Sequence, residues 1–147
     1  MYDAKPAQML TSYRALAKTA FRHAAMQVLT DFDTVWGHVV VARWEDGVTL
    51  DHIGDARLRE VVAEMVVDLA LRMNLAGFVH GDLHEKNVVL RTARGSAPTS
   101  DKGLSIVLID LDNLHEDVPR PEWNEPSAAP WGDKEGVDCI QFALAHM

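Results

Sequence analysis

Apolar residues recur at helical spacing from Asp55 to Ala76, where Leu58, Val61, Val62, Met65, Leu69 and Met73 fall on one stripe. Gly77 stands where a left-handed cap would end such a helix. A second stripe, Tyr13, Leu16, Ala20, Ala24 and Val28, lies behind a Thr11-Ser12 cap and predicts a helix over 12–29. His38 to Arg43 reads as a buried strand, because Val39, Val40 and Val41 are contiguous and β-branched. Trp44 to Leu50 then breaks it. Asn87 to Arg91 and Leu104 to Ile109 read as two short strands, joined by a solvated hairpin loop, Thr92 to Gly103, rich in Gly, Ser, Thr and Pro. Asn113 to Gly132 carries several prolines and few apolar residues, as an irregular surface segment does. Lys134 to Met147 predicts a final helix.

With 147 residues at 48% hydrophobic, the chain can bury one core, and a single domain is expected. The formal charge of −8 opposes a nucleic-acid backbone or an anionic membrane as partner. Cys139 is the only cysteine, so an intramolecular disulfide is impossible, in keeping with a reducing compartment. The first residues show no cationic lead with an apolar block behind it, and no later run reaches the length of a membrane span. A cytoplasmic protein is expected.

Between the long helix and the first short strand stands His80-Gly81-Asp82-Leu83-His84-Glu85-Lys86-Asn87. Ile109-Asp110-Leu111-Asp112 ends the apolar run that follows. Together they offer one carboxylate that can orient a hydroxyl and two oxygen ligands that can hold magnesium, the minimum chemistry for moving a phosphoryl group from ATP. Taken singly, Asp82 and Asn87 could equally close turns, and Asp110 could merely end a strand. The order of helix, loop, strand, hairpin and strand around both blocks favours the functional reading.

The first block resembles the H-x-D-x-x-x-x-N catalytic loop of protein-kinase-like enzymes, and the second resembles their metal-binding D-F-G block. The resemblance implies an α+β, protein-kinase-like fold with a reduced small lobe and an incomplete, mainly helical large lobe. Residues 1–43 would be the partial small lobe, 44–50 the hinge and 51–147 the partial large lobe. Asp82 would accept or orient the proton of the acceptor hydroxyl, with His84 beside it in the catalytic group. Asn87 and Asp110 would hold Mg²⁺. The nucleotide would meet the hinge at Trp44 and Glu45, and Val89 on the following strand, with Lys5 as a remnant of the strand lysine. His80 would support the loop by packing, Leu111 would pack where the family has Phe, and Asp138 would be the helix aspartate that holds the loop's backbone. ATP and Mg²⁺ are the implied cofactors, and the acceptor a hydroxyl-bearing protein or small molecule.

Gly81 replaces the Arg that pairs with a phosphorylated activation segment in many regulated kinases, so that mode of switching is not expected. The His-Gly-Asp-Leu-His-x-x-Asn form and the Ile-Asp-Leu-Asp block look more like atypical, bacterial and small-molecule kinase-like families. At the amino-terminal end the first glycine is Gly37 and no Glu precedes Glu45, so a Gly-rich phosphate loop and a helix Glu are both missing. Three readings stay open: a chain lacking its first strands, which is the most natural, a minimal kinase with a different phosphate lid, or a pseudokinase. An interaction module without catalysis is the alternative from another class. A two-metal phosphoesterase reading of Gly81-Asp82-Leu83-His84 lacks the later blocks it needs.

Overall fold

A computed structural model describes residues 5–91, 104–119 and 131–147, with only the backbone described at 5 and 6. The first helix, α1, spans Lys5–Leu16. It ends earlier than the apolar stripe predicts. Thr19 donates its hydroxyl to Leu16 O at 2.7 Å and accepts from Phe21 N–H at 3.1 Å, turning the chain into a 3-10 segment at Ala20–Ala24. Val28 already belongs to a strand, β1 (Val28–Thr34), and its N–H donates to the Tyr13 hydroxyl at 3.1 Å. Tyr13 and Val28 therefore do meet, but across a helix–strand junction rather than along one helix.

The strand expected at His38 to Arg43 is present as β2, Gly37–Ala42, antiparallel to β1, but it is not the buried strand expected: in a two-stranded sheet Val39 and Val40 are half-buried and Val41 is exposed. The missed strand β1 reads poorly in sequence because Asp31 and Asp33 have low strand preference. In the fold both carboxylates face His38 across the hairpin, Asp33 Oδ1 at 2.6 Å from Nδ1 and Asp31 Oδ2 at 2.8 Å from Nε2. These two hydrogen bonds and charges, that to Asp33 foremost, hold the His38 imidazole above its ordinary pKa despite partial desolvation.

After an irregular stretch at Trp44–Asp46, residues Gly47–Thr49 form β3, within the 44–50 segment expected to be the hinge. β3 pairs antiparallel with β5 (Val88–Arg91), and β5 with β6 (Ser105–Leu108), giving the sheet order β3-β5-β6. The two short strands at 88–91 and 105–108 are the ones expected. Of the intervening segment, 92–103 lies outside the described residues, as does 120–130 of the proline-bearing stretch.

The long helix α2 runs Ala56–Leu75, with Asp55 capping it by accepting from Leu58 N–H at 3.0 Å. Gly77 takes φ 96°, as the cap requires. The buried stripe is Leu58, Val62, Val66, Leu69, Ala70 and Met73, so Val61 and Met65 flank the core rather than fill it. β4 (Phe78–Val79) pairs with β7 (His115–Glu116) just beyond this helix. α3 (Lys134–Ala145) buries Val137, Ile140 and Leu144 against α2. One hydrophobic cluster includes residues from α1, α2 and α3 and from the β5 and β6 strands, so the loops at the strand ends are carried on a common packed body. No helix among the described residues is long and apolar enough to cross a membrane.

Candidate active site

α2 and β4 deliver the chain into residues 80–87, and three buried polar side chains hold that loop. His80 is fully buried, its Nδ1 accepting from Asp82 N–H at 3.2 Å and its Nε2 lying 2.8 Å from Ile109 O. An N–H donor on one side and a carbonyl on the other select the Nε2–H tautomer. The ring thus ties the loop that bears Asp82 to the segment that bears Asp110, a stronger role than the packing expected of it.

The second holder is Asp133. Its Oδ2 accepts from His80 N–H at 2.9 Å and from Asn74 Nδ2 at 2.8 Å, and its Oδ1 accepts from Gly81 N–H at 3.0 Å. Asn74 completes the set by donating to Phe78 O at 2.9 Å and accepting from Asp133 N–H at 2.8 Å. The role expected of Asp138 therefore belongs to Asp133. Asp138 lies one turn into α3 on its exposed side, paired with Lys134 at 3.2 Å. Only a residue at the start of the helix can aim both carboxylate oxygens out of the helix into the loop. The available signal was the Trp131-Gly132-Asp133 sequence just before the helix, where a helix-capping aspartate is common.

Asn87 is the third holder. Its backbone O accepts from Ile109 N–H at 2.9 Å, fastening the two blocks side by side. Its Nδ2 donates to Asp82 O at 2.9 Å and lies 3.5 Å from Asp82 Oδ2 and 3.0 Å from His84 Nε2. His84 Nδ1 also faces Lys86 N–H at 3.2 Å. A neutral imidazole cannot accept at both nitrogens, so one of these contacts yields in either tautomer. His84 Nε2 is 3.8 Å from Asp82 Oδ2, which brings the expected catalytic pair together without a tight bond.

Asp82 and Asp110 are both exposed, open to a ligand from solvent. Asp110 has φ 54°, the only positive φ at a non-glycine residue among the described residues. Such a conformation costs on the order of 1–2 kcal/mol and persists where surrounding structure imposes it, often at functional sites. Here Ile109 is bonded on one side to Asn87, and Leu111 is buried on the other, with Leu111 O accepting from Leu114 N–H at 2.9 Å. Leu111 packs as expected. Gly81 has φ 89°, and a Cβ there would come within 2.6 Å of Asn113 O, so this position has no room for any side chain.

A magnesium ion fits this donor set. Asn87 Oδ1 accepts no hydrogen bond from the described residues, and Asp110, next in the chain to the Ile109 that is bonded to Asn87 O, carries an exposed carboxylate. No cluster of three His, Cys, Asp or Glu side chains occurs among the described residues, so water and phosphate oxygens would complete the shell.

The expected nucleotide contacts are less uniform. Val89 lies on the same sheet face as Thr49 and Val107, opposite the main core. Trp44 is 86% exposed. Both Glu45 oxygens are engaged by Arg91, Nε to Oε2 at 3.1 Å and the terminal nitrogen to Oε1 at 3.3 Å, which leaves the Glu45 backbone as the part able to meet a ligand. Lys5 opens helix α1 instead of standing on a strand, and its side chain lies outside the described residues.

The profile of the lipopolysaccharide kinase (Kdo/WaaP) family matches residues 18–127, most of the chain and both blocks. The chain belongs to this family. Membership bears out the resemblance to protein-kinase-like enzymes read from the two blocks. Among solved structures, the Rio2 kinase–ADP/Mg²⁺–phosphoaspartate complex from Chaetomium thermophilum is similar at 15% identity and TM-score 0.61, over 97% of this chain and 37% of that one. Another Rio2 kinase structure from the same organism matches at 16% identity and TM-score 0.61, over 95% of this chain and 38% of its own. The likeness shows the fold, a reduced protein-kinase-like α+β fold, and this family member spans well under half the length of those kinases. No curated protein matches the sequence.

Proposed function

We propose that the chain is an ATP- and Mg²⁺-dependent phosphotransferase site that moves the γ-phosphate to a hydroxyl of a protein or small-molecule acceptor. The observation that carries this reading is the fastening of Asn87 to both neighbours, through its amide to Asp82 and through its backbone to Ile109 beside Asp110. Asp82, exposed and held at its N–H by His80, is oriented to accept the acceptor's proton. Asn87 Oδ1 and the Asp110 carboxylate supply the hard oxygen donors that magnesium prefers. Bound nucleotide and metal would contribute the phosphoryl group and the neutralisation of its charge. His84 restrains the Asn87 amide and stands near Asp82. Val89 and the backbone of Trp44 and Glu45 are the surfaces assigned to the base.

A second reading, a kinase-like module that binds without turnover, draws support from α1. The helix KPAQMLTSYRAL contains no acidic residue to pair with a phosphate-binding lysine. Calorimetric titration with Mg-ATP followed by a phosphotransfer assay separates the two. Asp82→Ala is expected to abolish transfer with nucleotide affinity kept, and Asp110→Ala to weaken Mg-ATP binding itself. Equal activity in both variants overturns the assigned roles, whereas binding without transfer in the unaltered chain supports the module.

A further inference from the structure

A cleft of about 670 Å³ opens between the Trp44–Asp46 stretch, the end of α1 and the 3-10 segment. Its walls include Tyr13, Arg22, Gln27, Arg43, Trp44 and Asp46, and none of Asp82, His84, Asn87, Val89 or Asp110 lines it. The size suits a small organic ligand, since such sites enclose roughly 300–1,000 Å³.

The polar groups of this cleft divide into committed and uncommitted sets. Tyr13 is engaged by Val28 N–H, and Arg91 is engaged by both oxygens of Glu45 and by His23 O at 3.2 Å. Arg22 uses Nε on His23 Nε2 at 3.3 Å and keeps its two terminal nitrogens for another partner. The Arg43 guanidinium, the Gln27 amide and the Trp44 indole N–H bond nothing among the described residues. Asp46 is the one acidic side chain of the lining outside the Glu45–Arg91 pair. Donors therefore outnumber acceptors, and the lining is locally cationic in a chain whose formal charge is −8.

We infer that this cleft is a binding site for a phosphate monoester carried on a planar ring, separate from the Asp82–Asn87–Asp110 group. Two guanidinium forks, an amide and an indole N–H present more donors than the two oxygens of a carboxylate can accept, and a phosphate's three terminal oxygens match them better. The exposed Trp44 ring makes no ring contact among the described residues and offers its face for stacking, with Arg43 next to it in the chain. Asp46 repels a second anionic group and so favours a monoester with an otherwise uncharged ring.

The test uses phenyl phosphate without Mg²⁺, observed at the Trp44 indole N–H by NMR, with inorganic phosphate for comparison. A saturable Trp44 shift is expected, with phenyl phosphate at least about tenfold tighter than phosphate. Arg22→Ala combined with Arg43→Ala should weaken binding by about tenfold or more. Both side chains are exposed, so the thermal midpoint should hold and confirm that the fold survives. Asp110→Ala should leave the titration unchanged, as a site apart from the Asp82–Asn87–Asp110 group requires. No shift at millimolar ligand, equal affinity for inorganic phosphate, unchanged affinity in the double variant, or loss of binding in Asp110→Ala would each overturn the inference.

Discussion

Asn74 and Asp133 bind each other reciprocally across 59 positions of sequence, Nδ2 to Oδ2 and N–H to Oδ1, each at 2.8 Å. The pair joins the end of α2 to the start of α3 and leaves the second Asp133 oxygen for the Gly81 N–H. Removing the carboxylate leaves two buried donors short of a partner, His80 N–H and one N–H of Asn74 Nδ2, whose other N–H keeps Phe78 O, and also frees the N–H of the exposed Gly81. Asp133→Ala should therefore cost about 2 kcal/mol or more, since each unsatisfied buried group costs about 1–3 kcal/mol. Asp138→Ala removes only an exposed i,i+4 pair and should stay within about 0.5 kcal/mol. Urea unfolding midpoints of the two variants check the assignment, and a larger loss for Asp138→Ala would refute it.

Gly81 is required twice over, by its positive φ and by the approach of Asn113. Gly81→Ala is expected to destabilise by about 1–3 kcal/mol, because strain at φ and a backbone clash add. A wild-type melting curve for this variant would show that the two segments part more easily than their contacts indicate.

Asp110 stores backbone strain that glycine would release. Asp110→Gly should raise stability by up to about 1 kcal/mol while Mg-ATP affinity falls, the opposite signs marking a residue held for function at a stability cost. Denaturation and calorimetry on the same sample decide it.

His38 reports pH. Its folded pKa is raised, chiefly by the hydrogen bond to Asp33 and then by Asp31, so the hairpin gains stability that is fully present below the ordinary imidazole pKa and is lost as pH rises through the higher folded value. An NMR titration should place the His38 midpoint above about 6.5, and Asp33→Asn should move it back down. An unshifted midpoint in the unaltered protein would remove the link.

Several elements were legible in local pattern alone. The α2 stripe, its Asp55 and Gly77 ends, the two strands around the hairpin and the order of the two motif blocks all follow from short-range rules of periodicity, capping and spacing. Where two signals compete locally, the reading failed. The stripe from Tyr13 to Val28 has helical spacing, yet Thr19 offers its own hydroxyl to the backbone and ends the helix, and the Asp-rich β1 pairs along its length with β2, from which His38 engages both aspartates.

Residue types and their intervals were enough to relate this chain to protein-kinase-like enzymes, because each motif block carries its residues at fixed local spacing and the two stand in a fixed order. Folding alone chose Asp133 over Asp138, turned Asp110 to a positive φ, gave His80 its bridging bonds and tied up Glu45 with Arg91. Those outcomes depend on partners tens of residues apart, such as the 53 positions from His80 to Asp133, whose meeting is set by how α2 and α3 pack and by no local rule.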